Sequence, residues 1–181
     1  MSTRRGNIIF LDDVIAEAVQ LTRTIIAERN PDLDDPDEVA ESVGVGAVVF
    51  WMLSVKRQKD VNFNWDDVLS FDGRTGPYLQ YTHARLCSLL TKWGRVIPPV
   101  ANTDLSRLQT DEERQLLLLL ADWPRRIRIA ARQYEPQMVA ASLLDMAQAY
   151  NTFYQNVRIL DGEPNAAPSR IILADCLRQV L

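Results

Sequence analysis

Apolar residues recur at three- and four-residue steps through most of this chain, the spacing of one face of an α-helix. The first run begins after Asp12 and Asp13 and ends at Asn30. A second begins at Pro36, a residue type favoured in the first helical turn. A third begins at Pro77 and stops before a glycine, which favours helix termination. The spacing predicts an all-α fold, a helical bundle.

Local signals divide the rest of the chain. Gly44 and Gly46 indicate an interruption of the second helix and a site where helices pack closely. Thr110 and Glu113 have the spacing of a capping box, which opens a leucine-rich helix. Pro124 predicts a break within the segment that follows.

Composition limits the class of protein. With 181 residues, 47% of them hydrophobic and 24% charged, the chain is expected to form one folded domain of ordinary size, or one domain with a small appendage. Its apolar runs are too short for a bilayer, and two distant cysteines argue against a disulfide framework or a zinc site. We therefore expect no membrane partner and no metal, and a cytoplasmic location.

The formal net charge of −4 argues against general affinity for nucleic acid, but it does not bear on local patches. One basic segment stands apart, with Arg125, Arg126, Arg128 and Arg132 inside eight residues. It is either a binding patch or a solvated helix face, and the pattern alone leaves both open.

Groups for catalysis are few. His83 is the only histidine, and nothing marks a nucleophile beside it. No phosphate-binding glycine motif and no Glu-x-x-His pair occurs. Two features remain: a basic N-terminal loop with Arg4 and Arg5, and a helix face with Tyr78, Tyr81 and Arg85. Tyrosine rings stack on unpaired bases and arginine holds phosphate, but partly buried spacers between helices are the alternative.

Several stretches of the sequence resemble the C-terminal part of enzymes of the arginyl-tRNA synthetase family. These are "MSTRRGN" at the start, then "FLDD", "GVGAV" and "NFNWDDVLSFDGRTGPYLQY". Their order and spacing agree over essentially the whole chain. "GPYLQY" after "FDGRT" is the most specific of them.

The resemblance implies a division into two regions. Residues 1–70 would be a remnant of the Lys-Met-Ser-Lys-type loop followed by a helical region that contacts the tRNA stem, and residues 71–181 a helical anticodon-binding domain. The loop, which in the family binds ATP and stabilises charge on its phosphates, corresponds to Met1, Ser2, Thr3, Arg4 and Arg5, with Arg4 as the catalytic cation. The tRNA-binding residues would be Tyr78, Tyr81 and Tyr154, to which local geometry adds Gln80 and Arg85.

The expected partner is therefore tRNA(Arg), and DNA is not expected. ATP with Mg²⁺ and arginine would be substrates of the full-length enzyme only, and this chain would bind no cofactor tightly. Because the chain begins inside the loop, without the nucleotide-binding fold, we expect no aminoacylation by it alone. Two alternatives stay open: a free-standing, non-catalytic paralogue that binds RNA or a protein, and a purely structural bundle.

Overall fold

The computed structural model describes residues 10–59, 63–71, 73–163 and 165–181. These residues form helices and connecting turns, with no β-strand among them, which confirms the all-α prediction. The helices are α1 (Leu11–Arg29), α2 (Pro36–Ser54), α3 (Trp65–Val68), α4 (Gly76–Trp93), α5 (Asp111–Gln133), α6 (Gln137–Asn156) and α7 (Ala167–Val180). The chain divides into two compact units, residues 1–78 and residues 79–181. None of the described helices combines the length and apolarity needed to span a membrane.

The first unit is built on close packing of α1 against α2. A Cβ added at Gly44 would lie 2.9 Å from the backbone nitrogen and Cα of Val19, so the two backbones meet where a side chain would not fit. Ala18 and Ala47 are fully buried in the same core. The predicted interruption at Gly44 and Gly46 is wrong, because α2 continues through both glycines. The close packing predicted from the glycines is confirmed at Gly44.

The start of α4 is fixed by a side chain that the sequence reading overlooked. Thr75 Oγ1 accepts a hydrogen bond from the Tyr78 backbone N–H at 3.2 Å, which satisfies one of the helix's free amide donors. At the other end, Gly94 adopts φ +62°, a left-handed conformation that glycine reaches without steric cost. The predicted limits of this helix, Pro77 and Gly94, agree with the structure to one residue.

The second unit has its own hydrophobic core, formed by residues of α4, α5, α6 and α7. Leu86, Tyr150, Phe153 and Leu177 are fully buried there. The break predicted at Pro124 is wrong, since α5 runs unbroken through it. Packing of the helix against this core outweighs the one backbone hydrogen bond that proline cannot donate.

A buried ion pair joins the beginnings of α5 and α7. The capping box is confirmed: Glu113 N–H donates to Thr110 Oγ1, and Glu113 Oε2 accepts the Thr110 N–H at 2.8 Å. The other carboxylate oxygen of Glu113 accepts from Arg170 Nε at 2.6 Å, and both side chains are almost wholly buried. Arg170 Nη1 also donates to the Arg158 carbonyl. The Glu113–Arg170 pair thus joins the beginnings of α5 and α7, and Arg170 links them to the loop before α7.

Candidate functional site

One face of the second unit brings together Tyr81 and Arg85 of α4 and Tyr154 of α6. The guanidinium carbon of Arg85 lies 4.6 Å from the centre of the Tyr81 ring and 5.0 Å from the centre of the Tyr154 ring. Both distances are within the range at which an aromatic face attracts a cation. Arg85 Nη2 also donates to Tyr81 Oη at 2.6 Å. These three residues are termed the Tyr-Arg-Tyr cluster.

Asn151 holds the Arg85 side chain from the neighbouring helix. Its Oδ1 accepts a hydrogen bond from Arg85 Nη1 at 2.6 Å, and its Nδ2 donates to Thr82 Oγ1 at 3.0 Å. Donor and acceptor ends of the amide are both used, so its orientation is determined by its neighbours. Arg85 is consequently fixed at both terminal nitrogens.

The cluster rests on a neutral aromatic side chain. Tyr150 is fully buried, its ring centre is 5.9 Å from that of Tyr154, and its hydroxyl finds no hydrogen-bond partner among the described residues. Burial, helped by the neighbouring Tyr154, raises the pKa of the Tyr150 hydroxyl well above its ordinary value. Tyr150 therefore stays protonated and uncharged, so it does not neutralise the positive charge of Arg85.

The outer side of the cluster is open to solvent. Tyr81 is 49% exposed, a large fraction for an aromatic side chain whose hydroxyl is already hydrogen-bonded. Tyr154 is partly buried and also lines an open groove of about 440 Å³. The groove is lined by apolar side chains that include Leu89 and Ile159, by the exposed cations Lys92 and Arg158, and by one exposed carboxylate, Asp161. The Tyr154 ring, the apolar lining and the two cations can together hold a planar ring with an attached anion.

The remaining predicted residues are placed as follows. Gln80, which directly precedes Tyr81 on α4, is half-buried. Tyr78, also half-buried, is the last residue of the first unit and supplies the N–H that Thr75 caps. The predicted loop Met1–Arg5, with Arg4, lies outside the described residues. Of the five predicted tRNA-binding residues, the structure thus brings Tyr81, Arg85 and Tyr154 into direct contact.

Two members of the site were missed by reasoning from the sequence. Thr82 is a fully buried polar residue one turn from Leu79 and Leu86, and Asn151 is a half-buried one, one turn from Ala147 and Tyr154. A polar side chain in such a place usually has a specific partner, because burial without a hydrogen bond is costly. That signal was available, but it does not identify a partner 69 residues away along the chain.

Family models match both parts of the chain. Residues 79–181 match the DALR anticodon binding domain. Residues 1–65 match the catalytic domain of tRNA synthetases class I (R). The first match covers more than half of the 181 residues and coincides with the second compact unit.

Individual relatives extend over the whole chain. It is 40% identical to an arginine–tRNA ligase of Clostridioides difficile and 42% identical to one of Limosilactobacillus reuteri, in each case over 100% of this chain and 32% of the relative. Among solved structures, the arginyl-tRNA synthetase of Thermus thermophilus superimposes with a TM-score of 0.85 at 34% identity, over 99% of this chain and 30% of that one. The chain thus spans about a third of the length of these relatives. The resemblance stated from the sequence is confirmed.

Proposed function

Since the chain belongs to the DALR anticodon binding domain family of class I tRNA synthetases, we propose that it is the portion of an arginine–tRNA ligase that binds the anticodon arm of tRNA(Arg). The observation that carries this proposal is the Tyr-Arg-Tyr cluster. A preformed cation between two tyrosine rings, one of them half-exposed, is suited to unpaired bases and their phosphates.

In this proposal each member has a distinct task. The exposed face of Tyr81 stacks on a base of the anticodon loop, and Tyr154 closes the groove in which a neighbouring nucleotide lies. Arg85 is held by Asn151 and adds cation–π attraction to the base. Gln80 and Tyr78 extend the contact along α4.

The N-terminal region would serve the ligation step of the whole enzyme. We assign residues 1–70 to the remnant of the Lys-Met-Ser-Lys-type loop and the helical region that contacts the tRNA stem, and residues 71–181 to anticodon binding. Met1–Arg5 would contribute to the ATP site, with Arg4 stabilising negative charge on the phosphates of ATP bound with Mg²⁺. The match of residues 1–65 to a catalytic-domain model supports this assignment over a free-standing, non-catalytic paralogue. Protein synthesis also implies a cytoplasmic location for the enzyme.

The test is the affinity for a hairpin RNA with the sequence of the tRNA(Arg) anticodon arm, measured by fluorescence anisotropy. Tyr81→Ala and Tyr154→Ala are each expected to weaken binding by about 1–3 kcal/mol, or roughly 5- to 150-fold, because each removes a stacking surface.

Tyr81→Phe is the matched control, since it keeps the ring and removes only the hydroxyl. It should bind much more tightly than Tyr81→Ala, and a hairpin of the same stem with an unrelated anticodon should bind weakly to all variants. If both alanine variants bound as the unmodified protein does, while melting at the same temperature, the cluster would not be the RNA site.

A further inference from the structure

Helix α5 carries a row of arginines that the anticodon site does not use. Arg125, Arg128 and Arg132 are spaced by three and four residues and so lie along one side of the helix. Arg114 falls on the same side about three turns earlier. All four residues are exposed. They are termed the α5 arginine row.

The charge of this row is largely uncompensated. Asp122 forms ion pairs with Arg125 and Arg126, and their hydrogen bonds lower the pKa of its carboxyl to about 2. One carboxylate thus faces two guanidiniums. Arg114, Arg128 and Arg132 have no ion pair within the described part of the chain.

The two units differ in their balance of acidic and basic residues, and the arginines of α5 account for much of the difference. The first unit has fourteen acidic and eight basic residues, whereas the second has ten acidic and twelve basic ones. Within the second unit, residues 123–134 contain four arginines and no acidic residue. The positive surplus of the second unit is therefore gathered on the C-terminal half of α5.

We propose that the α5 arginine row binds the phosphate backbone of the RNA whose loop occupies the Tyr-Arg-Tyr cluster. Every cation in the row is arginine, whose planar fork makes bidentate contacts with phosphate. From Arg125 to Arg132 the helix rises about 10 Å, roughly the axial distance covered by three phosphates of a duplex strand. The ligand is thus the stem of the bound hairpin, and the arginines bind its phosphates independently of its base sequence. This inference rests on the proposed function, because it assigns a second contact to the same RNA.

The experiment is the salt dependence of hairpin binding. Each phosphate contact contributes about 0.7–0.9 to the slope of log K against log salt concentration. Arg128→Gln combined with Arg132→Gln should lower that slope by about 1–2 and weaken binding at low salt roughly tenfold. Arg128→Lys combined with Arg132→Lys keeps both charges and should restore most of the slope.

The control is Arg107→Gln combined with Arg178→Gln. These residues are also arginines of the second unit, but each is paired with its own carboxylate, Asp104 and Asp175. This variant loses the same formal charge and is expected to keep the slope of the unmodified protein.

An unchanged slope in the Arg128 and Arg132 glutamine variant would overturn the inference. An equal fall in the control would overturn it too, because the effect would then be one of net charge. Neither result would affect the stacking site tested with Tyr81→Ala. If the unmodified protein failed to bind the hairpin at all, both proposals would be rejected.

Discussion

At the scale of single residues, Tyr134 adopts a backbone conformation unfavourable to its type. It follows the last residue of α5 with φ +53°, a left-handed geometry that helices usually assign to glycine. A side chain with a Cβ raises the energy of this conformation by roughly 1–2 kcal/mol. The Tyr134 ring offsets little of that through burial, since the residue is 75% exposed.

We therefore expect Tyr134→Gly to stabilise the protein by about 0.5–1 kcal/mol, less than the full strain because glycine also loosens the unfolded chain. Urea denaturation followed by circular dichroism measures the change. Tyr134→Ala keeps the Cβ and should bring no gain. Equal gains in the two variants would mean that the left-handed geometry is not strained.

At the scale of helices, the pairing of Glu113 with Arg170 governs how the ends of α5 and α7 are held. Burial alone would raise the pKa of the Glu113 carboxyl. Hydrogen bonds from the Thr110 backbone and from Arg170 outweigh that effect and lower it below its usual value of 4.5. A lowered pKa in the folded state means that folding is favoured by ionisation of Glu113.

This gives a pH dependence with a definite sign. The contribution of Glu113 is complete above the unfolded pKa near 4.5 and is lost as the pH falls through the lower folded value. Urea midpoints measured from pH 7 downward should show this loss, and the loss should be smaller in Glu113→Gln, which cannot ionise. Identical pH profiles for the two proteins would contradict the assignment.

Removing one partner of the pair should be more harmful than removing both. Arg170→Met alone leaves a buried carboxylate and is expected to lower the free energy of unfolding by about 3–5 kcal/mol at neutral pH. The double variant Arg170→Met with Glu113→Gln should recover part of that loss. Additive losses in this cycle would mean that the two side chains do not interact.

At the contact of α1 with α2, close packing and helix propensity predict opposite effects of replacing Gly44 with alanine. Alanine is the better helix former by about 1 kcal/mol, yet a methyl group at Gly44 would meet the Val19 backbone at 2.9 Å. We expect Gly44→Ala to destabilise the protein by about 1–3 kcal/mol, because backbone cannot move aside as a flexible side chain can. Glu41→Ala, at an exposed position of the same helix, is the control for propensity. A gain in melting temperature for Gly44→Ala would contradict the close approach.

Sequence reasoning succeeded where the cause of a structure is local. The capping box of α5 and the end of α4 at Gly94 are set by residues within one turn, so both were predicted. Reasoning failed at Gly44 and Pro124, where packing of the helix against its neighbours overrides the local preference to break. The meeting of Arg85 with Asn151 is a further case, since the contact joins residues 66 apart and no periodicity encodes it. Tyr154 was predicted as a site residue only from the family resemblance.

At the scale of the whole molecule, binding and catalysis should be separable. The described residues are helices and turns, and the chain spans only 32% of the length of the arginine–tRNA ligases that it resembles. We expect the 181-residue polypeptide to bind the anticodon hairpin but to give no arginine-dependent exchange of pyrophosphate into ATP. Robust exchange would contradict the prediction that this polypeptide binds RNA without catalysing adenylate formation.

The clamp on Arg85 has a thermodynamic consequence for association. A free arginine side chain loses about 2 kcal/mol of rotamer entropy when it is immobilised. Here Asn151 and Tyr81 hold the guanidinium within the protein itself, so folding has already met that cost. Recognition through this arginine is consequently preorganised, and its contribution to affinity carries little entropic penalty when the ligand arrives.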